Sequence, residues 1–142
     1  MRPALRPVNI GAGALGMGLP LRDTLVSPQH RMLIEGAAPQ MLFGETEVLV
    51  AAAHLTGLSG VQQILTLGVT YIHLLLDRHE IICANGSWTE SFQPADRTLE
   101  AADQAQRDEL AALFPDLQVD CANYKSARPS LKAHEARVLI NA

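Results

Sequence analysis

Two short stretches carry residue types that can move a proton at one place. In Ser27-Pro28-Gln29-His30 a hydroxyl stands three positions before an imidazole, between the β-type runs Thr24-Leu25-Val26 and Met32-Leu33-Ile34. Proline in the second position favours a turn, and this turn can aim both side chains at one point. Such a pair suits acid–base work on a peptide bond: the histidine donates a proton to the amide nitrogen and the hydroxyl orients it. By itself the pattern equally describes a solvated or structurally bonded turn histidine. The second stretch is Tyr71 to Gly86, with His79 between two β-type runs and Ala84-Asn85-Gly86 at its end. Asp77 and His79 can pair there, or the segment is a surface turn with an incidental ion pair.

Other candidates are weaker. Gly11-Ala12-Gly13-Ala14-Leu15-Gly16 fits the G-x-G-x-x-G pattern of dinucleotide sites. In that fold a helix must follow at once, so that its N-terminus receives the pyrophosphate. Gly18 and Pro20 interrupt the next turn, so a glycine loop is expected instead. His54, at the end of Ala51-Ala52-Ala53, and His73, on a β-type run, read as structural histidines. His134 reads as a solvated helix residue. No H-x-x-x-H or Cys/His ligand pair is present, and no metal or cofactor is expected. Cys83 and Cys121 lack metal-ligand spacing and read as two buried free thiols, although one disulfide between them is open. Trp88 is expected to pack in the core.

These residues need a scaffold. A chain of 142 residues fits one domain. Hydrophobic residues make up 48% but aromatics only 4%, so Leu, Val, Ile and Ala must fill the core. The net charge of −4, without a Lys/Arg run, argues against a nucleic-acid partner. No apolar run is long enough to cross a membrane, and Met1 to Pro7 does not begin a signal peptide.

Pro7-Val8-Asn9-Ile10 reads as a short strand. Met41-Leu42-Phe43 and Val48-Leu49-Val50 flank Gly44-Glu45-Thr46-Glu47 and read as a hairpin. Val69 to Leu76 reads as a buried strand, with Ile72, Leu74 and Leu76 on one face. Asn85-Gly86 marks a tight turn after a strand at His79 to Ala84. After Phe92 the composition turns helical. Pro94 to Leu113 lacks a β-branched run beyond Thr98, and Pro115 ends it. Leu131 to Ile140 reads as a closing helix with Leu131, Val138 and Leu139 on one side.

Taken together and in order, the two histidine stretches resemble conserved blocks of Hint domains, the self-processing modules of inteins and hedgehog proteins. Ser27-Pro28-Gln29-His30 is similar to the Thr-x-x-His block, and Tyr71 to Gly86 to a later block ending in Ala-Asn-Gly. The wording of Gly13-Ala14-Leu15-Gly16-Met17-Gly18-Leu19-Pro20, Arg22-Asp23, Leu76-Asp77-Arg78-His79-Glu80 and Ala133-His134-Glu135-Ala136-Arg137 resembles a bacterial Hint-like subgroup. The resemblance implies a mainly β, horseshoe-shaped fold, here partial, with appended C-terminal helices. It divides the chain into a β-rich body, residues 1–92, and a helical appendix of the same domain, residues 93–142.

The resemblance also implies a mechanism. An N-terminal cysteine attacks the preceding carbonyl and turns the peptide bond into a thioester. His30 would protonate the leaving nitrogen, Ser27 would orient it, and His79 would support the shift. His30 and His79 are then expected to face one cleft, with Ser27 pointing into it. No cysteine precedes His30, and Cys83 does not fall at the nucleophile's place. Ile72 stands where the family often has an acid after the tyrosine. Glu90 and Ser91 stand where inteins have His-Asn, so splicing is not expected.

The expectation is therefore an N-terminally truncated, autoproteolytic-type domain, inactive alone. Its partner would be a complementing N-terminal polypeptide or a second copy. A non-catalytic protein-binding or assembly module on the same fold is the alternative, and a nucleotide-dependent enzyme ranks third.

Overall fold

In the computed structural model the described residues are 6–66, 74, 76, 78–91 and 126–141. They are mainly β, in two antiparallel sheets, with a small C-terminal helix. The first sheet has the order β2-β1-β5, from Val8–Ile10 (β1), Thr24–Val26 (β2) and Val61–Gln63 (β5). The second has the order β4-β3-β7-β6, from Arg31–Glu35 (β3), Glu47–Ala51 (β4), Ile81–Ala84 (β6) and Ser87–Glu90 (β7).

Strand β1 is the centre of the first sheet because both its edges are paired: Val8 opposes Val26 and Gln63, and Ile10 opposes Thr24 and Val61. Val8 and Ile10 lie two apart, so alternation sends both to one face, where they are buried with Val61. Met32, Val48, Val50, Ala52 and Leu55 join them in one cluster. The glycine run between β1 and β2 is a loop of turns, as its composition dictates. It is closed by Ala12 N donating to Asp23 Oδ1 at 2.8 Å.

Residues 41–43 do not form the first arm of a hairpin. Ala37–Phe43 is a helix, α1, and β4 pairs with β3 instead, from Arg31 opposite Ala51 to Glu35 opposite Glu47. The physical reason is in the residues. Ala, Gln, Met and Leu favour helix and none of the seven is β-branched. Pro39 falls in the first turn, where an amide proton has no helical acceptor. Gly44 ends the helix at φ 71°, its N–H bonded to Gln40 O at 2.9 Å, as left-handed C-terminal caps require.

Asn85 and Gly86 both take positive φ, 51° and 81°, and form the two-residue turn between β6 and β7. A Cβ on Gly86 would lie 2.7 Å from Leu21 Cγ, so the glycine also allows the loop before β2 to pack here. Leu21 N donates to Asn85 O and Asn85 Nδ2 to Thr24 Oγ1, both at 2.9 Å.

The closing helix, α2, runs Ala133–Ile140. It buries Ala136 and Leu139 in the shared core, whereas Val138 is 51% exposed, so the buried side is one residue off the expected one. Before it, the chain lies beside β4. Leu49 N donates to Pro129 O at 2.8 Å and Leu131 N to Leu49 O at 2.9 Å, a parallel bridge that covers this edge of the sheet. Arg128 pairs with Glu47.

Three side chains differ from expectation. Trp88 is half-exposed, because on β7 it alternates with the buried Ser87 and Thr89. Cys83, its cross-strand partner, is an exposed free thiol. Leu74 is 56% exposed rather than buried. The expected strand at 69–76, apart from Leu74 and Leu76, the helix at 94–113, His73, Asp77 and Cys121 lie outside the described residues.

Candidate functional site

The turn that carries Ser27 and His30 forms as its proline predicts, with His30 N donating to Ser27 O at 3.1 Å. It joins β2 of one sheet to β3 of the other. The 3-10 helix Ala52–Leu55 holds it from below: Ala53 N donates to Pro28 O at 2.9 Å and Ala52 N to His30 O at 2.8 Å. Because that helix continues β4, which pairs along all of β3, the turn is tied at its carbonyls to the best-ordered ladder of the fold.

The two histidines singled out by type and spacing both attach to β7, at consecutive residues. His30 Nε2 hydrogen-bonds Thr89 Oγ1. His79 Nε2 lies 2.8 Å from Glu90 Oε2. Strand β7 is the inner strand between β3 and β6, with Thr89 opposite Met32 on one side and Ile82 on the other. Thr89 and Glu90 are buried. Both also grip the peptide next to His30: Thr89 Oγ1 donates to Arg31 O at 2.8 Å, and Arg31 N donates to Glu90 Oε1 at 3.0 Å. The Arg31 guanidinium stands 3.5 Å from Glu90 Oε2. One carboxylate thus serves a backbone amide, a guanidinium and an imidazole, which is how a buried charge is made tolerable.

His79 has a second partner. Ala127 N donates to its Nδ1 at 2.8 Å. A nitrogen that accepts a hydrogen bond carries no proton, so the ring's proton sits on Nε2 and is donated to Glu90. The side chain is fully buried. The carboxylate on His79 is therefore Glu90, eleven residues on, across the hairpin. Next to it Glu80 and Ser91 close the hairpin end: Ser91 N donates to Glu80 O at 2.9 Å, and Glu80 N to Ser91 Oγ at 3.0 Å.

Ser27 Oγ is buried and has no hydrogen-bond partner among the described residues; the same holds for Ser87 Oγ and His54 Nδ1. The hydroxyl found on His30 is that of Thr89, not that of Ser27. Leaving a buried hydroxyl unpaired costs about 1–3 kcal/mol. His54 lies in the 3-10 helix that supports the turn, and His134 is exposed on α2. Among the described residues no group of three or more His, Cys, Asp or Glu could hold a metal ion, and no helix is long and apolar enough to cross a membrane.

Thr89 and Glu90 were not singled out by residue type. The signal that leads to them is the two-residue Asn85-Gly86 turn, which fixes the register of the hairpin and sets Ile82 opposite Thr89 and Ile81 opposite Glu90. That β7 then lies against β3 is decided by contacts 59 residues apart in the chain.

No curated protein and no solved structure matches the chain. A family match does exist, and it spans the glycine loop, the Ser27–His30 turn, both sheets and the histidine-bearing hairpin: over residues 1–96 the chain matches the Hint domain, and it belongs to that family.

Proposed function

We propose that the chain is the later part of a Hint-type self-processing domain, which breaks a peptide bond by an N–S acyl shift and needs a cysteine supplied from outside these 142 residues. The observation that carries it is His30. Within the family-matched span, its imidazole is anchored to an inner strand through one nitrogen, on a turn whose Ser27 hydroxyl is buried and unpaired. In the step, the cysteine sulfur bonds to the carbonyl carbon, the C–N bond breaks, and the thiol's proton ends on the amine nitrogen. His30 carries that proton, since a positioned general acid within about 3 Å of the nitrogen serves this purpose. Ser27 orients the leaving nitrogen, which gives its orphaned oxygen a partner. His79 holds Glu90, and through it the Arg31 peptide, in place.

The test compares the 142-residue chain alone with a chain extended by the cysteine-bearing segment encoded directly upstream. Both are treated with dithiothreitol or hydroxylamine and followed by mass spectrometry. The short chain is expected to stay whole, and the extended chain to release its upstream segment in a thiol-dependent way that His30→Ala abolishes. A thiol-dependent fragment from the short chain would place the nucleophile within it. An extended chain that stays whole would remove the self-processing reading.

A second reading, a binding or assembly module on the Hint-like fold, is favoured by large apolar side chains left on the surface: Met17 is 96% exposed, Met41 85%, Leu65 76% and Leu21 70%. It predicts self-association, or capture of a complementing segment, without cleavage. Light scattering at rising concentration separates the two.

A further inference from the structure

The structure assigns Thr89 as the positioning residue of His30: we infer that its hydroxyl fixes the imidazole with a proton on Nε2, so that Nδ1 is the nitrogen that exchanges a proton with the reacting bond. The choice of reacting bond rests on the proposed self-processing chemistry; the tautomer does not.

The argument is a count of protons. Thr89 Oγ1 has a single proton. Its contact with Arg31 O, at 2.8 Å, must use that proton, because a carbonyl only accepts. The same oxygen also hydrogen-bonds His30 Nε2. With its own proton committed, the oxygen can only accept there, so the ring must donate. A neutral imidazole has one N–H, and here it is Nε2–H, which leaves Nδ1 with its lone pair.

The surroundings keep Thr89 from giving way. It is buried on an inner strand paired on both sides, to Met32 and to Ile82. Its branched Cβ restricts the first side-chain torsion. The peptide between His30 and Met32 is gripped at both ends, at the carbonyl by Thr89 and at the amide by Glu90. Ring, peptide and strand therefore form one rigid unit. Placing a general acid this way lets it turn the same nitrogen toward its target each time.

Nitrogen-15 NMR of the histidine rings in the full 142-residue chain tests this without any cleavage reaction. The expected spectrum shows His30 with its proton on Nε2, as a resolved, slowly exchanging ring N–H. Thr89→Ser keeps the hydroxyl and should keep that signal. Thr89→Val keeps the shape but not the oxygen and should lose it, with the ring nitrogens moving toward a mixture of tautomers. A proton on Nδ1 in the unsubstituted chain would overturn the assignment, and so would a folded Thr89→Val chain with an unchanged ring. If Thr89→Val fails to fold, the unsubstituted and Thr89→Ser spectra still decide, because each places the proton on one nitrogen or the other. A His30 tautomer as expected, together with an extended chain that does not cleave, would defeat the proposed function and leave the positioning role standing.

Discussion

The imidazoles of His30 and His79 attach to neighbouring residues of one strand, yet their surroundings are built to different ends. His79 is wholly buried, and both its nitrogens are spent on the protein, one on Glu90 and the other on the amide of Ala127. A ring held at both nitrogens must break a bond before it can move a proton. His30 is half-buried on a turn, its Nε2 bound to a hydroxyl whose own proton is already committed. The first arrangement fastens, whereas the second aims. What His79 fastens is the segment 126–141, which lies beyond the span matched to the family but covers the β4 edge and adds Ala136 and Leu139 to the core.

Removing the fastened segment should have the largest effect. A chain ending at residue 125 loses the partner of His79 Nδ1, the two bonds to Leu49, and the buried faces of Ala136 and Leu139. Leu139 truncation to alanine alone should cost about 2–5 kcal/mol, against a total stability of about 5–15 kcal/mol. The shortened chain should therefore lose its cooperative urea transition, and an unaltered transition would show that the segment fastens nothing.

Next comes Glu90→Ala. It strands the Arg31 amide, the Arg31 guanidinium and His79 Nε2 together. Breaking a buried pair from one side costs about 3–5 kcal/mol. Chemical denaturation measures this, and a cost below that of Thr89→Val would reverse the ranking of the two environments.

Thr89→Val removes one hydroxyl from a buried site and leaves Arg31 O and His30 Nε2 to find other partners, at about 1–3 kcal/mol. Its effect on thiol-dependent release by the extended chain should exceed its effect on stability, since general acids contribute about 100- to 10,000-fold in rate. If rate and stability fall in step, the hydroxyl is only structural.

The smallest effect belongs to the outer end of the hairpin. Trp88→Ser should change stability by about 0.5 kcal/mol or less, as exposed positions do, because Trp88 is half-exposed beside the exposed Cys83. Native Cys83 should react with a maleimide about as fast as in urea. Protection of this thiol would indicate that something covers the β6–β7 face.

Much of this was legible in the residues because it is local. The Asn85-Gly86 turn follows from the positive φ that both positions need. Proline at position 28 gives the Ser27–His30 turn, Gly18 and Pro20 keep the glycine run from becoming a dinucleotide site, and Ala133–Ile140 is helical. At Met41-Leu42-Phe43 the hairpin pattern misled, because three apolar residues fit either period and the caps at Gly36 and Gly44 settled the matter. Trp88 and Cys83 were placed inside by residue type, whereas strand alternation puts them outside.

The sequence by itself determined the mainly β character, the positions of the turns and the order of the histidine-bearing blocks, since each depends on residues a few places apart. It also contained the family match over residues 1–96. Only the tertiary structure decided which groups the histidines meet. Thr89 reaches His30 across 59 positions, and Ala127 reaches His79 across 48. The physical reason is that a hydrogen bond between distant residues leaves no periodicity in the chain. It exists only once β3 and β7 pair and the C-terminal segment lies down beside β4, and the backbone that brings these partners together is held by the core as a whole.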